Sequence, residues 1–182
     1  MDWDLAENQK NDTTMDHTGT RTSTREFMSV ELHLGGPHRH KIRYDWESFF
    51  YYLLWTTFVL HADVNEVPAF NQMRNELKDW IVIIDEEVAD PDAFINNRLF
   101  NAKTGFLTYM KRERYISGLQ NAQFGLRETY DAWIEPLYRL FGRAYSRKNQ
   151  LELEVSDPRI ETLDGFLTYE NIWGILKEKP PA

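Results

Sequence analysis

The sequence predicts a mainly α-helical fold. Several segments place apolar residues three and four positions apart, which is the spacing of one face of an α-helix. Alternation of apolar and polar residues, which is typical of a half-buried strand, does not extend over any useful length. The twelve residues from Phe49 to Leu60 carry no charge, and this run predicts a helix at the centre of the domain.

The composition fits one domain, or one lobe of a larger protein, and excludes several classes of function. The chain has 182 residues, of which 42% are hydrophobic. Its net charge of −8 argues against nonspecific attraction to nucleic acid or anionic membranes. Cysteine is absent, so a disulfide scaffold and a thiolate nucleophile are both excluded. The polar N-terminus is not a secretory signal, and the apolar run is shorter than the roughly 20 residues of a spanning helix. We therefore expect an intracellular protein, cytoplasmic or nuclear, that binds neither nucleic acid nor membrane.

Residues 1–43 show few signs of regular structure. The stretch ENQKNDTTMDHTGTRTSTR (7–25) is rich in Thr, Asn and Asp and predicts a long loop. Loops of this length are usually functional or disordered, and we expect residues 7–22 to be poorly ordered. EFMSVELHL (26–34) predicts a short helical turn, which GGPHRH (35–40) ends.

A helix over residues 44–60 is the central structural prediction. Apolar side chains cover every side of its helical wheel, so neighbours are expected all around it. A buried strand is the competing interpretation, but a length of about 17 residues argues against it. Asp45 is suited to cap this helix, because its carboxylate accepts backbone N–H bonds at the positive end of the helix dipole.

The rest of the chain is predicted to be helical with loops between. Five residues at helical spacing predict a helix that includes Phe70, Met73, Leu77, Trp80 and Ile81, and a second, weaker pattern covers residues 94–112. Pro136 is expected to kink or divide the next helix, whose stripe consists of Leu126, Tyr130, Trp133, Ile134, Leu137, Leu140 and Phe141. The last helix should begin after Thr168 as N-cap and end before Pro180 and Pro181.

Three motifs resemble the fungal-type protein kinase family. RTSTREFMSVELHL (21–34) is similar to the family pattern G-T-x-x-F-M-[AS]-x-E-L, and RYDWESFFYYLLW (43–55) is similar to H-x-x-x-[HY]-D-[LW]-E-S-[LF]-F-Y-x-L-L-W. ETLDGFLTYENIWGIL (161–176) resembles the closing motif E-T-L-G-G-x-x-T-Y-E-x-F. The resemblance implies a protein-kinase-like C-lobe fragment with a long N-terminal activation-segment loop and a buried central helix. Residues 1–43 would hold the D-F-G-like motif, the activation segment and the A-P-E-like turn, and residues 44–182 the helical C-lobe subdomain.

The resemblance assigns catalytic roles to two residues near the N-terminus. DWDLA (2–6) resembles the D-F-G motif, with Trp3 and Asp4 in place of phenylalanine and glycine. It implies that Asp2 holds Mg²⁺ between the phosphates of ATP. The loop TST (22–24) resembles the loop that receives the substrate peptide, and Thr24 is implied to hydrogen-bond the catalytic loop.

Two further roles follow from the same resemblance. Asp45 is implied to hold the backbone of the catalytic loop through its carboxylate, beside the alternative that it only caps its helix. Glu31 corresponds to the glutamate of the A-P-E motif and is implied to form a buried ion pair with an arginine. Its candidate partners are Arg159, Arg112 and Arg114, and a solvated Glu31 is the alternative.

Several parts of a working kinase do not occur in these 182 residues. They contain no Gly-rich loop, no strand lysine paired with a helix glutamate, and no H-R-D-x-x-x-x-N catalytic loop. We expect the N-lobe and the catalytic base to lie upstream of Met1 if they exist, and the chain alone to be inactive and only marginally stable. The resulting interpretation is the C-lobe of a fungal-type Ser/Thr protein kinase, with ATP and Mg²⁺ as cofactors and a protein as substrate or partner.

Two other interpretations stay open. The first is a non-catalytic, pseudokinase-like protein interaction module. The second is an unrelated helical protein with a metal site, suggested by His33, His38 and His40.

Overall fold

The computed structural model describes residues 25–34, 40–58, 77–78, 80–81, 88–108, 128–154 and 157–177. Within these ranges the regular structure is helical and includes no strand, so the predicted mainly α class is confirmed. The longer elements are α1 (Ile42–Phe58), α2 (Pro91–Thr108), α3 (Glu135–Leu151) and α4 (Tyr169–Leu176). Short 3-10 helices cover Arg25–Phe27, Val30–Leu34 and Pro158–Glu161. Across the same ranges, no helix combines the length and the apolarity that crossing a membrane requires.

Helix α1 supplies the middle of the core. Phe50 and Leu54 are fully buried, and the ring of Phe50 stacks on that of Phe141 in α3 with centroids 5.1 Å apart. The expectation that α1 is surrounded on all sides is wrong for one face, because Phe49 and Tyr52 are 39% and 38% exposed. The apolar wheel therefore predicts the helix correctly but overstates its burial.

The start of α1 lies two residues before the predicted start at Tyr44 and three residues before Asp45. The helix begins at Ile42, and the Tyr44 N–H donates to the Lys41 carbonyl at 2.9 Å. Asp45 consequently lies inside the first turn and not at the cap position. The interpretation of Asp45 as the N-cap is wrong for this reason.

Helix α2 begins with a capped turn and packs closely on α3. The Asp90 carboxylate accepts the Ala93 N–H at 3.0 Å, and Pro91 at the first helical position lacks an N–H that would be left unpaired there. Where α2 meets α3, a Cβ on Gly142 would lie 3.0 Å from the Leu107 carbonyl oxygen. Only glycine allows the two helices to approach this closely without a shift.

Pro136 divides its helix as predicted. A π-helical turn covers Tyr130–Ile134, in which the Glu135 N–H donates to the carbonyl of Tyr130, and α3 follows directly. A proline inside a regular helix lacks a donor and clashes with the carbonyl four residues earlier. The wider π turn relieves that conflict, and such turns are a recognised cause of helix kinks.

The end of the described chain is built from a left-handed turn and a capped helix. Leu163, Asp164 and Gly165 all have positive φ, and they connect the 3-10 helix Pro158–Glu161 to α4. The Thr168 hydroxyl accepts the Asn171 N–H at 3.3 Å, which confirms the predicted N-cap. Pro180 and Pro181 lie outside the described residues.

The predicted helix around residues 70–81 is described only in part. Leu77 and Lys78 are helical, and the N–H groups of Trp80 and Ile81 donate to the carbonyls three residues earlier. Leu77 and Trp80 are buried, but Ile81 is exposed and does not belong to the predicted apolar stripe. Phe70, Met73, Leu126 and residues 7–22 lie outside the described residues.

Candidate functional site

Residues 25–34, here called the anchored segment, are bound to the helical core by buried polar side chains from α1, α2 and α3. The segment consists of two short 3-10 helices instead of one continuous helical turn, and Val30–Leu34 packs against α2. Such short helices leave many backbone groups without internal partners. Side chains of the surrounding helices bind several of these groups.

The first attachment is centred on Glu31. Its carboxylate is buried and accepts hydrogen bonds from the Arg43 guanidinium of α1 and the Lys148 ammonium of α3. The Tyr44 hydroxyl donates to the same carboxylate at 3.1 Å. Burial raises the pKa of Glu31, but Arg43 and Lys148 lower it by more, so the pKa lies below its usual value of 4.5. Glu31 is therefore a carboxylate held between two cations.

The partners of Glu31 are adapted to a charge inside the protein. Arg43 is fully buried, and although burial lowers its pKa, the Glu31 carboxylate raises it by more, so the guanidinium stays charged. Burial and the nearby Glu31 charge both raise the pKa of Tyr44, which keeps its hydroxyl a donor. The Glu31 carboxylate thus accepts hydrogen bonds from two cations and one hydroxyl.

The second attachment is centred on Glu47 of α1, which is fully buried. Its carboxyl accepts the backbone N–H of Val30 at 2.9 Å and the hydroxyls of Tyr51 and Tyr145 at 2.7 Å each. Burial raises the pKa of Glu47, and these three hydrogen bonds offset the effect only in part. Burial and the Glu47 charge hold the pKa values of Tyr51 and Tyr145 well above their usual value. Glu47 therefore ties the backbone of the anchored segment to α1 and α3 together.

The third attachment is Lys103 of α2, which is also fully buried. Its Nζ lies 2.5 Å from the Met28 carbonyl oxygen, 3.4 Å from that of Arg25 and 3.2 Å from Nε2 of His33. It also lies 4.5 Å from the ring centroid of Tyr51. Burial lowers the pKa of Lys103 to about 7, and the charges of Glu47 and Glu26 offset part of that effect.

These attachments can position a backbone segment, but their geometry is not that of a catalytic centre. The carboxyls of Glu31 and Glu47 are buried among donors and do not face an open cleft. Among the residues that the structure describes, no group of three or more His, Asp or Glu side chains could hold a metal ion. His33 contacts Lys103 and Asn96, which gives no support to the predicted histidine metal site, and His38 lies outside the described ranges.

Asp45 lies apart from this buried network. Its carboxylate is 60% exposed and lies 3.1 Å from Nε2 of His40, whose side chain is equally exposed. The structure therefore brings Glu31 into the core and leaves Asp45 at the surface. Asp2 and Thr24, the other two predicted site residues, lie outside the described residues.

The partner predicted for Glu31 is wrong where the structure describes it. Arg159 is bound to Asp157, with its Nη2 at 2.7 Å from Oδ2, and it does not reach Glu31. Arg112 and Arg114 lie outside the described residues. Arg43 was overlooked because it is only twelve positions from Glu31, while the family resemblance pointed to an arginine late in the chain.

Sequence reasoning also missed Glu47, Lys103 and Lys148. A usable signal existed for α1, because Arg43 and Glu47 are charges four residues apart in an otherwise apolar helix. Charged residues inside an apolar helix are rarely buried unless they are paired. The sequence around Lys103 and Lys148 is ordinary for a helix. No local pattern indicates that these two side chains reach the anchored segment.

One comparison with known proteins bears on this arrangement. Residues 1–57 match the fungal protein kinase family model. The match covers 57 of the 182 residues, and it includes the anchored segment and α1 as far as Thr57. The predicted resemblance to the fungal protein kinases is thus confirmed over that range, while the closing motif at 161–176 lies beyond it. No curated protein and no solved structure matches the chain.

Proposed function

We propose that this chain serves as the C-terminal lobe of a fungal-type Ser/Thr protein kinase. The observation that carries the proposal is the attachment of residues 25–34 to α1 by Glu31 and Glu47, within the range that matches the family. By resemblance, the loop directly before this segment receives the substrate peptide, and Thr24 belongs to it. Buried charge pairs and hydrogen bonds to the backbone would hold the end of that loop in one position, which is what phosphoryl transfer requires of a substrate site.

The proposal includes a metal and a nucleotide on the strength of the resemblance alone. Asp2 would hold Mg²⁺, which neutralises charge on the phosphates of ATP during transfer. The 182 residues contain no H-R-D catalytic loop and no Gly-rich loop. We therefore expect no phosphate transfer by this chain alone, and activity only where another polypeptide segment supplies those parts.

A chimaeric kinase tests the proposal. The 182 residues are joined after the catalytic loop of an active fungal-type kinase, in place of its own sequence from the D-F-G-like motif onwards. Incorporation of labelled phosphate into a Ser/Thr substrate is then measured for the chimaera, for its Asp2→Asn variant and for the lone chain. We expect transfer by the chimaera only. A folded but inactive chimaera would contradict the C-lobe assignment, and steady transfer by the lone chain would contradict its dependence on other parts.

A non-catalytic interaction module is the second candidate. It is favoured by the open face of α1, on which the aromatic side chains of Phe49 and Tyr52 remain exposed. An inactive chimaera together with specific binding of a partner protein by the lone chain would support this alternative. For either candidate, the absence of cysteine fits an intracellular location.

A further inference from the structure

Three aromatic side chains form a row on the surface between α1 and α4. The ring of Tyr169 stacks on that of Trp173 with centroids 6.0 Å apart and planes 7° apart. Tyr169 also lies 6.2 Å from the ring of Trp46, and the planes of these two rings are tilted by 51°. Tyr169 and Trp173 are 54% and 50% exposed, while Trp46 is partly buried. Trp46, Tyr169 and Trp173 are called the aromatic row below.

The row is not required by the packing of α4. Ile172 points into the core and is almost fully buried, whereas Tyr169 and Trp173 lie four positions apart on the outer face. The outer face of a surface helix is normally polar. Large aromatic side chains bury about 150–250 Å² each when they are enclosed, so two half-exposed ones leave on the order of 200 Å² uncovered. Contiguous apolar surface of this kind marks binding sites more often than single exposed residues do.

The charges beside the row are mainly acidic. Glu170 is exposed and lies three positions before Trp173, on the same side of α4. Asp45 adjoins Trp46 and is 60% exposed. Lys177, the C-cap residue one turn beyond Trp173, is a cation at the far end of α4, so the acidic charge of this helix lies beside Tyr169. The whole chain carries a net charge of −8, which adds to the attraction for a cation.

We propose that the aromatic row is a docking site for a basic, arginine-rich segment of a partner protein. The faces of aromatic rings are the negative end of their quadrupole and attract cations. A planar guanidinium also stacks on such rings and forms two parallel hydrogen bonds to a carboxylate. An arginine placed over Tyr169 would have ring faces beside it and the carboxylate of Glu170 within the same helical turn. The site is separate from the buried attachments of residues 25–34 and does not depend on the kinase proposal.

A labelled peptide of eight residues that alternates arginine and glycine is a suitable probe. Its binding to the full chain is followed by fluorescence anisotropy, beside a peptide in which neutral citrulline replaces each arginine. We expect the arginine peptide to bind, and Tyr169→Ala and Trp173→Ala each to weaken its binding by about tenfold. Phe94→Ala is the matched control, because Phe94 is 42% exposed on α2. These three substitutions leave the net charge of the protein unchanged.

The design separates the proposed site from general electrostatic attraction. Glu170→Gln removes the carboxylate without removing a ring, and we expect it to weaken binding by roughly threefold at low salt. Circular dichroism shows for each variant whether the helices are retained, and the Glu170→Gln arm stands even where a ring deletion disturbs α4. The proposal is overturned if the arginine peptide does not bind, if Phe94→Ala weakens binding as much as the row variants do, or if the citrulline peptide binds equally well.

Discussion

Replacing Glu31 by glutamine should destabilise the protein strongly while changing very few atoms. Glutamine has the shape of glutamate and keeps one carbonyl oxygen, but it cannot balance the two cations that now meet at this position. Arg43 is fully buried, so its charge would be left inside the protein without the carboxylate that now pairs with it directly. Lys148 is partly exposed and can turn towards water.

The expected cost follows from this difference between the two cations. Breaking a buried ion pair by removing one partner costs about 3–5 kcal/mol, because the remaining charge stays desolvated. The buried position of Arg43 puts Glu31→Gln in that range, and the freedom of Lys148 argues against a larger value. With a denaturant slope of roughly 2 kcal/mol per molar urea, the unfolding midpoint should fall by about 2 M.

Urea unfolding followed by circular dichroism measures this change, with Glu135→Gln as the matched control. Glu135 pairs with Arg139 four residues along α3, at 2.7 Å from its Nε, but Arg139 is over a third exposed. The same chemical substitution there should cost about 0.3–0.5 kcal/mol. Equal effects of the two substitutions would refute the argument that burial of Arg43 makes the Glu31 pair expensive to break.

The stability difference between wild type and Glu31→Gln should depend on pH in a defined direction. Because the pKa of Glu31 is lowered in the folded protein, the unfolded chain binds more protons just below pH 4.5. The stability that Glu31 contributes is therefore present above pH 4.5 and is lost as the pH falls through the folded value. The gap between wild type and Glu31→Gln should narrow on acidification, and a gap that widens would contradict the assignment of Glu31 as an ion-paired carboxylate.

Three further predictions test other parts of the fold. The pKa of Lys103 is lowered to about 7 in the folded protein, so between pH 7 and its ordinary value of 10.5 the unfolded chain binds more protons than the folded one. The stability of wild type relative to Lys103→Met should therefore rise with pH in this range, by up to about 1.4 kcal/mol per pH unit. Urea titrations at several pH values measure this change. Gly142→Ala should lower the stability by about 1–3 kcal/mol, because the added Cβ would lie too close to the Leu107 carbonyl oxygen. Gly105→Ala should raise the stability by roughly 0.5–1 kcal/mol, because a Cβ there meets nothing within 4 Å. Thermal unfolding of the two variants distinguishes these outcomes. Thr168→Ala should cost about 1 kcal/mol by removing the cap of α4, and Thr168→Ser should restore most of it in the same assay.

Local signals in the sequence were sufficient for the helices but not for their exposure. The proline at 136, the threonine at 168 and the apolar wheel of α1 act within one or two turns, and the structure shows the corresponding break, cap and helix. Whether Phe49 is covered depends on which other element reaches that side of α1, and no pattern within the helix contains that information. The start of α1 was misplaced because an aspartate suits both the cap and the first turn.

The candidate site was less predictable because its contacts connect distant parts of the chain. Lys148 lies 117 positions from Glu31, and Tyr145 lies 98 positions from Glu47. Only the pair Arg43 and Glu47 had a local signal, as charges in an apolar helix. The family resemblance identified Glu31 as a residue to examine, but the arginines that it suggested lie later in the chain than Arg43, which the structure places beside Glu31.

Two carboxylates in α1 illustrate how one helix can serve both the inside and the outside of the protein. Asp45 and Glu47 are two positions apart, which places them about 200° apart around the helix axis. Glu47 consequently points into the core and binds the Val30 N–H, while Asp45 points outwards to His40. The inward carboxylate is therefore the one that holds the anchored segment. The outward carboxylate is the one to which the family resemblance assigns the catalytic loop, and its exposed position leaves it accessible to backbone donors from such a loop.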